Sequence, residues 1–166
     1  MVRLITGAGG MMGSHLYEAL KERDVIPTYY KSTLDPREKI TEEMEVLDVL
    51  DKDNVRKVLS FYKPDVIYHL AAQSRPDVSF KDPAHTIETN VIGTTNLLQA
   101  CVDLGLKPLF INASSSAVYG ETMDAFDKRQ DDWMMPPTEA DRCLPLSPYG
   151  TSKLAQEHIL KNFHEM

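Results

Sequence analysis

Residues 2–13 read Val-Arg-Leu-Ile-Thr-Gly-Ala-Gly-Gly-Met-Met-Gly, an apolar run that ends in a glycine-rich turn. Gly7, Gly10 and Gly13 have a G-x-x-G-x-x-G spacing, and an amphipathic stretch from Ser14 to Arg23 follows them. Glycines between a strand and a helix permit a tight turn and a close approach of the backbone to phosphate. A dinucleotide pyrophosphate binds at this place, against the helix N-terminus. The segment therefore predicts a dinucleotide-binding loop, with a glycine turn that holds no ligand as the alternative.

Apolar runs and stretches of helical periodicity alternate along the chain, which is typical of βαβ units around a parallel sheet. The predicted strands lie at residues 2–6, 25–30, 46–47, 65–70 and 108–112. The predicted helices lie at residues 14–23, at 52–62 behind an N-cap at Asp51, at 82–104 before Gly105, and from Pro148 onward. Residues 121–146 are predicted to form a loop. We predict an α/β fold, a Rossmann-type doubly wound parallel sheet.

Composition and charge narrow the class of protein. The 166 residues suit one domain, and 25 acidic side chains against 18 basic ones give a formal net charge of -7. An acidic surface repels phosphate backbones, so we expect no nucleic-acid partner. No apolar run approaches membrane length and no signal-peptide pattern precedes the fold, so we expect a cytoplasmic protein with no membrane partner. Cys101 and Cys143 match no metal-binding spacing, and we expect reduced thiols and no metal.

A second group of polar residues indicates proton-transfer chemistry. Tyr149 and Lys153 are four residues apart on the last predicted helix and therefore project from the same face. A Lys ammonium beside a phenol favours the phenolate, which would let Tyr149 exchange a proton with a hydroxyl group. Ser114, Ser115 and Ser116 directly follow a predicted strand, at the edge where open α/β sheets bind ligands. A surface Tyr–Lys pair and a polar turn are the alternatives.

Six motifs, in the order in which a known family has them, span nearly the whole chain. They are Thr6-Gly7-x-x-Gly10-x-x-Gly13, Asp48-Val49, His69-Leu70-Ala71-Ala72-Gln73-Ser74, Asn90-Val91-x-Gly93-Thr94, Ser114-Ser115-Ser116-Ala117-Val118-Tyr119-Gly120 and Ser147-Pro148-Tyr149-Gly150-x-Ser152-Lys153. In these motifs the chain resembles the extended short-chain dehydrogenase/reductase family, specifically its NAD(P)-dependent nucleotide-sugar epimerase/dehydratase group. The resemblance implies that residues 1–166 are an NAD(P)-binding Rossmann domain, the front half of such an enzyme, and that the substrate is a nucleotide-diphosphate sugar.

The resemblance also implies roles for individual residues. Ser115, Tyr149 and Lys153 would form the catalytic set, with Ser115 placed four residues before Tyr119. Tyr149 would act as acid/base while a hydride passes between the nicotinamide and the sugar at C4. The cofactor would be bound by Gly7, Gly10, Met11, Met12, Gly13, Lys31, Ser32, Asp48, Val49, Leu70, Ala71, Ala72 and Lys153. The sugar or its diphosphate would be bound by Gln73, Ser74, Arg75, Ser115 and Ser116, and Asn90 would support the helix beside the site.

The end of the second predicted strand bears on the choice of cofactor. It reads Tyr29-Tyr30-Lys31-Ser32-Thr33, and the nearest acid is Asp35. A basic residue here accommodates the 2′-phosphate of NADP, whereas an acid binds the ribose 2′-hydroxyl of NAD. We therefore predict NADP, held by Lys31 and Ser32, with NAD held through Asp35 as the alternative.

Two departures from the family pattern leave the reaction open. Ala117 stands where 4,6-dehydratases of the group have a Glu that acts at the sugar C5, which favours epimerase or ketoreductase chemistry. In contrast, Gln73-Ser74 and the segment 30–32 resemble the GDP-mannose 4,6-dehydratase branch.

The second departure is length, because by the resemblance the C-terminal substrate domain is absent from this chain. A truncated domain that binds cofactor without turnover is therefore an alternative. A short-chain alcohol dehydrogenase for another substrate is a further one, which the segment Ser114–Gly120 disfavours. The resemblance further suggests a homodimer through the helices that contain Asn90 and Tyr149.

Overall fold

The computed structural model describes residues 1–30, 44–121 and 137–165. It contains a five-stranded parallel sheet. Its strand order is β3-β2-β1-β4-β5. The strands are β1 (Arg3–Thr6), β2 (Val25–Tyr29), β3 (Glu45–Val46), β4 (Val66–His69) and β5 (Leu109–Asn112). All four pairings between neighbours are parallel. This order is that of a doubly wound dinucleotide-binding sheet, so the predicted Rossmann-type fold is confirmed.

The order of the helices agrees with the prediction from the sequence better than their first and last residues do. The described helices are α1 (Met11–Leu20), α2 (Lys52–Tyr62), α3 (Pro76–Lys81), α4 (Pro83–Ile87), a π-helical turn (Glu88–Ile92), α5 (Gly93–Asp103), a 3₁₀ turn (Ser116–Val118) and α6 (Pro148–His164). The predicted N-cap of α2 is confirmed, because the Asp51 carboxylate accepts hydrogen bonds from the amides of Asp53 and Asn54.

Two expectations about helices are wrong. Helix α1 begins at Met11, three residues before the predicted start at Ser14, because Gly10 already serves as its N-cap. The helix predicted over residues 82–104 is instead interrupted by the π-helical turn at 88–92, and the short helix α3 was not predicted. Proline at the first position of α3 and of α4 explains both short helices, since Asp82 ends one and caps the next.

The chain divides into two compact units. The sheet unit comprises Met1–Ala72 with Ile92–Ala113, and the helical unit comprises Gln73–Val91 with Ser114–Met166. The second unit contains α3, α4, the 3₁₀ turn and α6, which pack on one another. None of the helices in the described ranges is both long and apolar enough to cross a bilayer.

The sheet unit has a three-layer core, because successive residues of β1 point to opposite faces. Leu4 and Ile5 are both fully buried. Leu4 packs with side chains of α2 and α5, namely Val55, Val58, Leu59, Leu97, Ala100 and Cys101. Ile5 packs with Ala8 and with side chains that include Leu16 and Leu20 of α1. Helices on both faces hold β1 and β4 in the middle of the sheet, so their carboxyl ends are fixed where the glycine turn begins.

Candidate functional site

Three of the glycines in the turn that follows β1, at positions 7, 10 and 13, differ in what the fold demands of them. Gly7 has φ +71°, and a Cβ there would lie 2.8 Å from the backbone nitrogen of Ala71. A Cβ on Gly13 would overlap the carbonyl oxygen of Gly7. Gly10 has an extended backbone and an ordinary φ of -72°, and a Cβ there would meet only the Gly7 oxygen at 3.4 Å. The fold therefore requires glycine at positions 7 and 13, whereas it leaves space at position 10.

The start of α1 fits the diphosphate of a dinucleotide. Gly10 caps the helix without any side-chain hydrogen bond, and the first turn carries no acidic residue. The amides of a first helical turn lack partners within the helix and form the positive end of the helix dipole. Here they adjoin the open space beside Gly10, where an anion could bind. Met11 and Met12, both predicted to bind cofactor, are 74% and 61% exposed, so at this position they offer backbone amides and exposed apolar side chains.

Asp48 and Val49, which by the resemblance would contact the adenine of the cofactor, follow β3. Asp48 donates its backbone N–H to Asn54 Oδ1 at 2.8 Å. Val49 is buried, and its carbonyl accepts from Asn96 Nδ2 at 3.0 Å. A Cβ on Gly93 would lie 2.5 Å from Val49 Cγ2, so α5 packs directly on this valine. The side chain of Val49 belongs to the core, which leaves its backbone for any contact with an adenine.

The segment Leu70-Ala71-Ala72 follows β4 and is half-buried. The amides of Leu70 and Ala71 each donate to Thr6 Oγ1 at 3.1 Å, which holds this segment against the glycine turn. The structure thus brings together the predicted cofactor residues after β1 and β4. Lys31, Ser32 and Asp35, on which the choice between NADP and NAD depends, lie outside the described residues.

Helix α6 carries the predicted acid/base pair in the helical unit. Its first turn is capped by Ser147, whose hydroxyl accepts from the Gly150 amide at 2.9 Å. Tyr149 and Lys153 are 8% and 4% exposed, and Lys153 Nζ lies 6.0 Å from the centre of the Tyr149 ring. Desolvation lowers the pKa of the Lys153 ammonium to about 8. Tyr149 and Lys153 thus lie one helical turn apart on α6, as their spacing predicted, and the structure adds that both are buried.

The serine turn, residues 114–118, is held against α6. Ser115 Oγ accepts from the Ala117 amide at 3.2 Å and caps the 3₁₀ turn. A Cβ on Gly150 would lie 2.5 Å from the Ala117 carbonyl oxygen, so the backbone of the turn rests directly on α6 beside Tyr149. Glycine at position 150 therefore allows the serine turn and the acid/base pair to lie side by side.

A second contact fixes the serine turn farther along α6. Ser114 donates a hydrogen bond to Glu157, which lies one helical turn beyond Lys153. Desolvation raises the pKa of Tyr119, and carboxylates led by Glu139 and including Glu157 raise it further. Glu157 was not among the predicted site residues, although its four-residue spacing from Lys153 was a signal that it shares that helix face.

Asn90 connects three segments of the helical unit. It is fully buried in the π-helical turn, accepts from the Gln73 amide at 2.8 Å and donates to the Gln73 carbonyl at 3.0 Å. It also donates to Ser152 Oγ at 2.8 Å, and Ser152 donates in turn to the Tyr149 carbonyl at 2.7 Å. These contacts agree with the supporting role that the resemblance implies for Asn90.

The residues predicted to contact the sugar differ in how they are held. Gln73 donates to the Arg75 carbonyl at 3.0 Å and to Thr86 Oγ1 at 2.9 Å, and accepts from the Arg75 amide at 2.6 Å. Both N–H groups of its amide are thus used within the protein, which leaves one lone pair of Oε1 for a ligand. Ser74 and Ser116 are exposed, and exposed Arg75 pairs with Asp77 at 2.9 Å.

Known proteins are similar to this chain over nearly its whole length. The GDP-mannose 4,6-dehydratase of Vibrio cholerae is 33% identical over 180 aligned residues, which cover 99% of this chain and 46% of that protein. The crystal structure of UDP-glucose 4-epimerase from Thermus thermophilus in complex with NAD has a TM-score of 0.82 at 29% identity and covers 99% of this chain and 51% of that one. That of UDP-glucose 4-epimerase from Thermotoga maritima with UDP-glucose has a TM-score of 0.81 at 28% identity, with 99% and 52% covered.

The chain therefore spans about half the length of the relatives it matches. A family model described as the NAD dependent epimerase/dehydratase family matches residues 3–166, which include the glycine turn, the serine turn and α6. On this match, the chain belongs to the NAD-dependent epimerase/dehydratase family.

Proposed function

We propose that this chain supplies the cofactor-binding and catalytic residues of a nucleotide-sugar epimerase/dehydratase that oxidises or reduces the sugar at C4. The observation that carries the proposal is the buried Tyr149–Lys153 pair beside a serine turn that Gly150 and Glu157 hold on α6. Because the chain spans about half the length of its relatives, the proposal concerns the activity of the whole protein.

Tyr149 is the proposed acid/base, whose phenol oxygen takes a proton from, or returns it to, the hydroxyl at C4. Ser115 orients that hydroxyl. Since Ser115 Oγ accepts from the Ala117 amide, its own O–H proton is left to donate to the sugar oxygen. Lys153, with a pKa of about 8, carries a positive charge at neutral pH and stabilises the negative charge that develops on the phenol oxygen.

The proposed cofactor is a nicotinamide dinucleotide, which when bound supplies or accepts the hydride. The turn from Gly7 to Gly13 would hold its pyrophosphate, and Lys153 would also bind its nicotinamide ribose. We propose NADP over NAD because of Lys31 and Ser32, while the Thermus epimerase structure contains NAD. Competitive titration with both dinucleotides tests this choice, and tighter binding of NAD than of NADP would overturn it.

The proposed substrate is a nucleotide-diphosphate sugar. Ala117 has no proton to transfer at C5, which favours an epimerase or ketoreductase over a dehydratase. A GDP-mannose 4,6-dehydratase is the second candidate, because a dehydratase of this name is 33% identical over nearly the whole chain. That reaction would need an acid/base at C5 from a residue other than Ala117.

Mass spectrometry after incubation with UDP-glucose, UDP-N-acetylglucosamine and GDP-mannose separates the candidate reactions. A product of unchanged mass and altered retention supports the epimerase, and a product lighter by one water supports the dehydratase. A product heavier by two hydrogens from the matching 4-keto sugar supports the ketoreductase. Dinucleotide binding without turnover of any sugar would overturn the enzymatic proposal and favour a domain that only binds cofactor.

A further inference from the structure

A buried histidine lies between two threonines in the sheet unit. His69 ends β4 and is 1% exposed. Its Nδ1 is 2.8 Å from Thr6 Oγ1, and its Nε2 is 2.9 Å from Thr94 Oγ1. Its ring also meets Phe110 edge-on, with the ring centres 5.6 Å apart. Both nitrogens are therefore engaged by hydroxyl groups, on opposite sides of the ring.

The hydrogen bonds of Thr6 determine which group donates and which accepts in the contacts of His69 with the two threonines. A hydroxyl group donates one hydrogen bond and accepts two. Thr6 Oγ1 already accepts from the amides of Leu70 and Ala71, each at 3.1 Å. Its only proton must therefore be donated to His69, so Nδ1 is the acceptor. The proton of the neutral ring then lies on Nε2 and is donated to Thr94.

The atoms at the Thr6 end of this chain are those that shape the proposed cofactor site. The backbone nitrogen of Ala71 is the nearest neighbour of Gly7, at 2.8 Å from where a Cβ would lie. Thr6 directly precedes Gly7, and its hydroxyl clamps the two amides that begin the segment after β4. The Leu70 amide also donates to the Thr6 carbonyl at 3.2 Å, so the hydroxyl adds to a backbone contact at Leu70 and is the acceptor for the Ala71 amide beside Gly7.

We propose that His69, as its Nε2-protonated tautomer, is a positioning residue that fixes the Thr6 hydroxyl and thereby the spacing of the two cofactor-binding segments. The ring acts only as an acceptor toward Thr6 and as a donor toward Thr94, and it touches no ligand itself. The part of this inference that concerns ligand affinity rests on the proposed dinucleotide site. The tautomer and the clamp on the two amides are properties of the protein alone.

Thr94 is the last residue in the series of hydrogen bonds that runs from Thr6 through His69, so substituting it tests the inference without changing the glycine turn. Thr94→Val removes the acceptor for Nε2–H and keeps the shape of the side chain, whereas Thr94→Ser keeps the hydroxyl. In the full chain, ¹⁵N NMR of the imidazole should show the Nε2–H tautomer of His69. Because the Leu70 amide also donates to the Thr6 carbonyl, the informative amide is that of Ala71. Its exchange should become faster by about fivefold to tenfold in Thr94→Val, the effect of about one hydrogen bond, and should be restored in Thr94→Ser.

Calorimetry with NAD and NADP gives the second readout. At a temperature where both variants are folded, Thr94→Val should weaken dinucleotide binding by about fivefold while Thr94→Ser does not. An Nδ1–H tautomer, or unchanged exchange at Ala71 in Thr94→Val, would overturn the inference. Faster exchange with unchanged dinucleotide affinity would overturn the positioning role. If the unsubstituted chain binds no dinucleotide, the proposed function fails, while the tautomer and the exchange rates still decide whether the chain of hydrogen bonds exists.

Discussion

The glycine turn after β1 and the Tyr149–Lys153 pair on α6 are held in place in opposite ways. In the glycine turn, the absence of side chains at Gly7 and Gly13 lets backbone segments touch, and the side chains of Met11 and Met12 are largely exposed. On α6, Tyr149 and Lys153 are buried, and the proposed chemistry resides in their side-chain atoms. A substitution in the first region therefore acts by adding atoms, whereas in the second it acts by removing a functional group.

The largest effect should come from removing the phenol oxygen of Tyr149. Tyr149→Phe keeps the buried ring, so the fold and most of the dinucleotide affinity should remain. Turnover of the nucleotide sugar should fall by about 10² to 10⁴-fold, the usual contribution of an acid/base group. Ser115→Ala should give a milder loss of the same kind, and steady-state kinetics of both variants measure the difference. Full activity in Tyr149→Phe would mean that α6 has only a structural role.

The glycine turn offers a matched pair of substitutions. Gly10→Val adds a side chain where the protein leaves space, so the unfolding free energy should change little. Dinucleotide affinity should fall by roughly tenfold to a hundredfold, because the added atoms occupy the place of the pyrophosphate.

Gly13→Ala is the control, since its Cβ overlaps the Gly7 carbonyl within the protein itself. It should lose ~1–3 kcal/mol of stability. Calorimetric titration and thermal unfolding of both variants separate the two effects. Unchanged affinity in Gly10→Val would remove the dinucleotide from this turn.

Burial of Lys153 should make the protein less stable than its methionine variant. The folded-state pKa of about 8 lies below the ordinary 10.5, so between these values the unfolded chain binds more protons than the folded one. The unfolding free energy should therefore rise as the pH increases from about 8 to 10.5, and at pH 7 the full cost of burying the charge is present.

Lys153→Met should remove this cost and gain ~1–3 kcal/mol at pH 7, with no further rise at alkaline pH. The same variant should lose turnover and dinucleotide affinity. Urea unfolding at pH 7, 8, 9 and 10 checks the sign. A variant that is less stable than the parent protein at pH 7 would contradict it.

The smallest effect should come from the second contact of the serine turn. Glu157→Gln keeps an oxygen that accepts from Ser114, whereas Glu157→Ala removes it. We expect Glu157→Ala to lower kcat by severalfold with little change in KM, because one hydrogen bond that orients the Ser115 segment is lost. Glu157→Gln should recover most of this loss. Equal kinetics of the two variants would show that Gly150 alone fixes the turn.

What could be predicted from the sequence was local in the chain. The glycine spacing, the Asp51 cap and the Tyr149–Lys153 pair each lie within one turn or one helix, so periodicity and residue type were sufficient. The contacts of Gly93 with Val49 and of Gly150 with Ala117 join residues that are distant in the chain. Only the folded backbone shows why those glycines are needed. The π-helical turn at 88–92 was missed because its residues include no Gly or Pro that would mark an interruption, and its burial around Asn90 depends on partners from α6 and from Gln73.

Gly7, Gly10 and Gly13 would therefore be conserved to different extents in a lineage that stopped using the ligand. A descendant that only needs to fold must keep positions 7 and 13 small, because any side chain there collides with its own backbone. Position 10 meets no such barrier within the protein and could drift to alanine, serine or valine without harm to the fold. Glycine at position 10 would therefore indicate that the ligand is still bound, whereas glycine at positions 7 and 13 is required by the fold alone.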